Sequence, residues 1–170
     1  MKSIKISPSD LTFLWDECPR CFYLKVALGI SRPPTAFPKI FNRIDLLMKR
    51  LFEGSDTAEL YPGLPAGHVL FGERRVESQP LPLAGTIPAF LSGKFDSVVA
   101  FDDGSYGVVD FKTSAPNPKQ IPFYSRQLHA YAYALEHAAP GKLTLAPITR
   151  LGLLVVEPIE IARDEHRRIN

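Results

Sequence analysis

The clearest pattern in the chain is a pair of apolar segments joined by a short acidic turn. Residues 95–101 and 106–111 are rich in Val and Phe, which is typical of β-strands. Residues 102–104, Asp-Asp-Gly, suit a three-residue hairpin loop with glycine at the left-handed position. A turn centred on the middle residue of this loop places Asp96 directly opposite Asp110.

This register brings two carboxylates together on an otherwise apolar hairpin. Facing Cβ atoms lie about 5 Å apart, and like charges at that distance destabilise a strand pair. Lys112 shares the face of Asp110, since side chains alternate along a strand. One explanation is a salt bridge, although a single lysine cannot satisfy two buried acids. The other is a divalent cation, Mg²⁺ or Mn²⁺, held by Asp96, Asp110 and the backbone carbonyl of Phe111.

A cation at this position is suited to phosphate ester hydrolysis. It stabilises charge on a phosphate and lowers the pKa of a bound water. Lys112, beside the cation, could orient or deprotonate that water, or neutralise the charge that develops on the phosphate.

Helical patterns flank the hairpin on both sides. The predicted elements are a helical element over 7–29, a helix over 39–52, a loop over 54–67, a weak strand over 69–76, the hairpin, a helix over 122–138 and a buried strand over 149–156. The order of helix, three strands, helix and strand predicts an α/β domain in which a mixed sheet is flanked by helices.

Size and composition indicate one globular domain over residues 1–170, with its core from about 39 to 157. The 45% of hydrophobic and 22% of charged residues are ordinary for a soluble protein. The formal net charge of +2 is too small to indicate nucleic-acid binding by itself. No apolar stretch approaches the roughly 20 residues of a membrane span. The start of the chain lacks a signal-peptide core, so we expect a cytoplasmic protein that does not bind membranes.

The last predicted helix carries a second polar feature. Gln127 and Tyr131 are one helical turn apart and therefore share a face. An amide and a phenol at this spacing can hydrogen-bond a phosphate or hold a catalytic lysine. A surface or interface role is the common alternative for such a pair.

Three short motifs follow one another along the hairpin and the last helix. They read GKFD at 93–96, VVDFKTS at 108–114 and QLHAY at 127–131. Their order, G-x-x-D, D-x-K and Q-x-x-x-Y, resembles the RecB-like branch of the PD-(D/E)XK nuclease superfamily, to which CRISPR-associated exonucleases belong. The N-terminal segment SPSDLTFLWDECPRCFYLK is similar to the opening helix of that branch, so the resemblance extends over residues 7–156.

The resemblance implies both a fold and an activity. The fold is a restriction-endonuclease-like αβββαβ core, here with extra N-terminal helices. The activity is metal-dependent hydrolysis of DNA phosphodiesters. By the same resemblance, Asp96 and Asp110 bind the metal and Lys112 is catalytic. Gln127 and Tyr131 complete the site.

The helix that corresponds to the first motif of this branch departs from the pattern. In the branch it carries a His or a Glu directed at the metal, and the matching segment FNRIDLLMKRLF has neither. Asp45 is the acid in the corresponding place. It is either a metal ligand with a shorter reach or a solvated helix residue.

The cysteines form a second departure. Related nucleases bind an iron–sulfur cluster with one N-terminal and three C-terminal cysteines, whereas this chain has only Cys18 and Cys21. A four-thiolate cluster cannot be built from them. Pro19 predicts that Cys18 caps a helix, which would lower the pKa of its thiol. The pair could pack in the fold, form a redox pair or bind zinc across a dimer.

The leading hypothesis is a metal-dependent deoxyribonuclease that acts on single-stranded DNA or on DNA ends, in repair, recombination or defence. One alternative is a non-catalytic nucleic-acid-binding module on the same fold. Another is a subunit that needs a helicase or other protein partner. Two facing acids argue against both alternatives, since they destabilise the fold without serving catalysis.

Overall fold

A computed structural model describes residues 3–34, 38–83 and 87–159. Two mixed β-sheets are flanked by helices, which confirms the predicted α/β fold class. The described strands are β1 Ile4–Ile6, β2 Gly67–Phe71, β3 Arg74–Glu77, β4 Ala89–Phe95, β5 Ser97–Phe101, β6 Tyr106–Thr113 and β7 Ile148–Val156. The described helices are α1 Phe13–Glu17, α2 Pro19–Leu28, α3 Lys39–Phe52, α4 Thr57–Leu60 and α5 Ile121–Glu136, with 3₁₀ turns at Pro8–Leu11 and Pro118–Gln120.

The strands divide between two sheets instead of forming the single predicted one. One sheet has the order β1-β4-β3, with β1 parallel and β3 antiparallel to β4. The other has the order β2-β5-β6-β7, antiparallel except for β7, which runs parallel to β6. The strands β2 and β3 therefore form one arm of a long hairpin, and β4 and β5 form the other. Both arms are interrupted at the same position along the hairpin.

Three sequence predictions are wrong in detail. The predicted strand over 69–76 divides into β2 and β3, because its two ends pair in different sheets. The predicted strand over 95–101 is interrupted at Asp96, where β4 ends before β5 begins. The predicted loop over 54–67 contains the short helix α4.

Alternation along β6 determines which helix each side chain meets. Val108 is fully buried in a cluster with Leu128 of α5. Val109 belongs to a second cluster with Met48 of α3. The helices α3 and α5 thus cover opposite faces of β6. Because side chains alternate along a strand, Asp110 lies on the same face as Val108 and points towards α5.

The N-terminal helices are tied to the core through α5. Cys18 ends α1 and caps α2, because its Sγ accepts a hydrogen bond from the Cys21 N–H at 3.1 Å. Arg126 of α5 donates hydrogen bonds of 2.9 Å to the Leu11 carbonyl and to the Asp16 carboxylate. These contacts hold α1 beside the helix that carries Gln127. None of the described helices is long and apolar enough to cross a membrane.

Gly93, the first residue of the GKFD motif, has no room for a side chain. A Cβ there would lie 2.8 Å from Pro8 Cδ and 3.2 Å from Tyr131 Cε1. Both neighbours are buried rings, so we expect Gly93→Ala to destabilise the fold by about 1–3 kcal/mol, the usual effect of overpacking. Denaturant unfolding measures this. Gly72→Ala is the matched control, because a Cβ at Gly72 meets open space. Equal stability of the two variants would contradict the interpretation.

Candidate active site at the hairpin break

The observed register confirms that Asp96 lies opposite Asp110. Ser97 pairs with Val109 and the pairs that follow continue to the turn, so extending the ladder by one position joins the two acids. Asp96 itself lies in the gap between β4 and β5. Its side chain replaces part of the interrupted ladder, since Asp96 Oδ2 accepts a hydrogen bond of 2.9 Å from the Phe111 N–H.

Asp110 is more buried than Asp96, with 3% of its surface exposed. Gln127 Nε2 donates to its Oδ1 at 3.2 Å, and Lys112 Nζ lies 2.5 Å from its Oδ2. Oδ2 has the Lys112 ammonium as its ion-pair partner and no other donor among the described residues. Burial raises the pKa of Asp110 to about 6; the charge of Lys112 opposes this rise and the charge of Asp96 adds to it.

Lys49, to which the sequence motifs assign no role, links two of the predicted acids. Its Nζ lies 2.7 Å from Asp45 Oδ2 and 2.8 Å from Asp96 Oδ1. Burial alone would lower the pKa of Lys49, but hydrogen bonds to both carboxylates outweigh burial and raise the pKa. The i, i+4 spacing signals the contact with Asp45. The contact with Asp96 depends on how α3 packs against the sheet, which no local pattern reveals.

A further acid and lysine border the pair. The pairings on either side of the strand break place Glu73 opposite Asp96. Glu73 Oε1 lies 2.7 Å from Lys94 Nζ and 4.0 Å from Lys49 Nζ. Three acids therefore follow one another across neighbouring strands, and each lies within 2.8 Å of one lysine.

Gln127 and Tyr131 act on different parts of the site. Gln127 is buried and holds the Asp110 carboxylate, not the lysine. Tyr131 lies behind the site, where its hydroxyl donates to the Lys94 carbonyl at 2.5 Å. Burial raises the pKa of Tyr131 to about 12, so the hydroxyl stays protonated. The two residues position the acid and the strand that precedes Asp96.

The predicted residues open onto one cleft of about 460 Å³. Six of them line it: Asp45, Asp96, Asp110, Phe111, Lys112 and Gln127. Lys94 and three aromatic side chains, Phe13, Phe41 and Tyr124, line it as well. The motifs did not point to these rings, because they come from three helices that are distant in sequence. Of the predicted site residues, only Tyr131 lies outside the lining.

The acid pair fits a divalent cation that is bound through few protein ligands. Within the described residues, no three His, Cys, Asp or Glu side chains converge as a metal site. Mg²⁺ needs only one or two carboxylates, because it keeps several of its waters. The buried Asp110 Oδ2 is held by the Lys112 ammonium alone, which leaves a lone pair for a cation, and Asp96 lies opposite it. These hard oxygen ligands are of the kind and number that Mg²⁺ or Mn²⁺ accepts.

Cys18 and Cys21 lie outside the cleft lining and are half-buried. Their sulfur atoms are 2.7 Å apart. Hydrogen bonding from Cys21 lowers the pKa of Cys18, with a smaller contribution from Arg32, which confirms the direction predicted for this thiol. The zinc, redox and packing roles of the pair stay predictions.

The raised pKa of Asp110 predicts how stability changes with pH in the presence of a chelator. An unfolded aspartate releases its proton near pH 3.8, whereas folded Asp110 holds it to about pH 6. The favourable contribution of Asp110 to the free energy of unfolding is thus complete below pH 3.8 and is lost as the pH rises through about 6. We expect Asp110→Asn to lose less stability than the wild type across this interval, as measured by denaturant unfolding. Asp102→Asn, in the exposed turn, should behave like the wild type; parallel curves for all three proteins would contradict the assignment.

The chain matches one family model over residues 63–168, that of the PD-(D/E)XK nuclease superfamily. The match covers more than half of the 170 residues and includes Asp96, Asp110 and Lys112. It begins after α3, so it does not include Asp45 or Lys49. No match was found among curated proteins or among solved structures. On the strength of the family match, this chain belongs to the PD-(D/E)XK nuclease superfamily.

Proposed function

We propose that the protein is a divalent-metal-dependent deoxyribonuclease that hydrolyses phosphodiester bonds with water. One observation carries the proposal. The buried carboxylate of Asp110 faces Asp96, and its Oδ2 has no partner among the described residues except the Lys112 ammonium. Such an arrangement destabilises a metal-free fold, and a phosphate-binding cation gives it a use.

Asp96, Asp110 and the backbone carbonyl of Phe111 would hold Mg²⁺ or Mn²⁺. When bound, the cation would stabilise charge on the phosphate and lower the pKa of the attacking water. The protein keeps both carboxylates in place through groups that are not ligands. The Phe111 N–H fixes Asp96 and the Gln127 amide fixes Asp110.

Lys112 is the candidate catalytic lysine. Its ion pair with Asp110 holds the ammonium at the cleft wall, where it would orient the water and neutralise charge on the phosphate. Lys94 is about half exposed at the same cleft and would contact a neighbouring phosphate. Tyr131 supports this second contact by binding the Lys94 carbonyl.

The motif order further supports a RecB-like exonuclease that acts on DNA ends in repair, recombination or defence, in the cytoplasm and with a helicase or other protein partner. The whole of residues 1–170 would form this one nuclease domain. The two cysteines of the chain leave an iron–sulfur cluster without its four thiolates, so the proposed cofactor is Mg²⁺ or Mn²⁺ alone.

Substitution of the acid and the lysine tests the proposal. We expect Asp110→Asn and Lys112→Ala each to lower the rate of DNA cleavage at least about 100-fold, because general acid–base and electrostatic contributions are of this size. Labelled single-stranded and duplex DNA are incubated with Mg²⁺, Mn²⁺ or chelator and resolved on gels. Asp102→Asn and Lys142→Ala are the controls and should cleave like the wild type.

Three outcomes would contradict the assignment. Cleavage in chelator would exclude the metal, and full activity of both variants would exclude the site. DNA binding without cleavage under every metal would favour the non-catalytic module. Cleavage that appears only with a co-purified protein would leave the site assignment in place and favour the partner-dependent subunit.

Asp45 calls for a separate measurement, because its carboxylate is bound to Lys49. We expect Asp45→Ala to lower the cleavage rate by about 10- to 100-fold, as for a group that orients a ligand from behind. The loss should be smaller than that of Asp110→Asn in the same assay. Asp56→Ala, an exposed acid before α4, is the control. A loss as large as that of Asp110→Asn would instead make Asp45 a metal ligand.

A further inference from the structure

Three aromatic side chains from three helices meet at the cleft that holds the acid pair. Phe13 of α1, Phe41 of α3 and Tyr124 of α5 form what we call the aromatic platform. Phe13 is 43% exposed and Phe41 is 37% exposed. Their rings therefore present apolar surface to a cleft whose floor is charged.

The platform is fixed relative to Lys112. The rings of Phe13 and Tyr124 meet edge to face, with centroids 5.5 Å apart. The Lys112 ammonium lies 4.9 Å from the centroid of the Tyr124 ring, within the range of a cation–π contact. Arg126, two residues after Tyr124, bonds to α1. The position of Phe13 is thus coupled to the group that would act on the phosphate.

Nucleic-acid bases match both features of this cleft. A nucleotide carries a phosphate, which suits the lysines and a bound cation, and a flat ring, which stacks on aromatic side chains without regard to sequence. In a duplex the base faces are already covered by their neighbours in the stack. Only an unpaired base can offer a face to Phe13 while its phosphate lies at Lys112.

We propose that the aromatic platform is a stacking site for an unpaired base next to the scissile phosphate, which makes single-stranded DNA the substrate. This inference rests on the proposed nuclease function and adds the strand state of its substrate. Phe13 is its central residue, because it is the most exposed of the three rings and touches Tyr124. Trp15 of the same helix lacks these neighbours: it is 46% exposed but packs on Phe22 and does not line the cleft.

Binding in chelator separates stacking from cleavage. A short fluorescein-labelled single strand is titrated with wild-type protein, Phe13→Ala and Phe13→Trp, and anisotropy is measured. We expect Phe13→Ala to bind about 5- to 150-fold more weakly, from the usual effect of removing one stacking ring. Phe13→Trp should restore binding. Trp15→Ala is the matched control on the same helix and should bind like the wild type.

An abasic strand distinguishes a stacking role from a merely structural one. For the wild type, replacing the bases by abasic sites should weaken binding as much as Phe13→Ala does. The Phe13→Ala variant should bind the abasic strand as well as it binds the intact strand. A duplex of the same sequence should bind the wild type more weakly than the single strand and should not respond to Phe13→Ala.

Several results would overturn the inference. These are unchanged binding of Phe13→Ala to the single strand, an equal effect of the variant on intact and abasic strands, duplex binding as tight as single-strand binding, or no binding of the single strand by the wild type. The cleavage assay is independent of them. If the protein stacks a base but does not cleave DNA in Mg²⁺ or Mn²⁺, the proposed nuclease activity is refuted and the stacking site stands. If it cleaves DNA without preferring single strands, only the stacking site is refuted.

Discussion

The site depends on strand register, which places three acids side by side across neighbouring strands. Asp96 lies opposite both Glu73 and Asp110, and like charges in such positions repel. Each acid forms an ion pair with a lysine from a different element: Lys94 from β4, Lys49 from α3 and Lys112 from β6. The packing of α3 on the sheet is therefore also an electrostatic requirement, since it delivers the ammonium that Asp96 needs.

The break in the long hairpin allows the Asp96 carboxylate to contact a backbone N–H and a lysine. An intact ladder would engage the Phe111 N–H with backbone across the strand pair. In the break, the Asp96 carboxylate accepts that N–H instead, and its second oxygen meets Lys49. A buried backbone donor stays satisfied while the carboxylate is held rigidly. The division into two sheets thus follows from the same feature that orients the acid.

Local signals predict the part of the site that lies within the hairpin. The length and composition of the turn are enough to set Asp96 against Asp110, and period two places Lys112 with Asp110. Helical spacing likewise predicts α3 and α5. Glu73, Lys49 and the aromatic platform depend on which distant segments pack together, and no local pattern carries that information. For the same reason the local pattern predicts one strand over 69–76, although the two halves of this segment pair in different sheets.

In the proposed nuclease, the arrangement of charges would give Asp45 a role that needs no contact with the cation. With each acid of the strand row matched by a lysine, the site is close to neutral, and Asp45 adds one negative charge. The Lys112 ammonium holds Asp110 Oδ2, whereas Asp96 has the Phe111 N–H on one oxygen and the Lys49 ammonium on the other. An entering cation would therefore need the Lys49 ammonium to leave Asp96. Since Asp45 already binds that ammonium at 2.7 Å, it can keep the displaced lysine paired. A short carboxylate one turn before Lys49 suits this task, because it remains close to the lysine while the lysine moves.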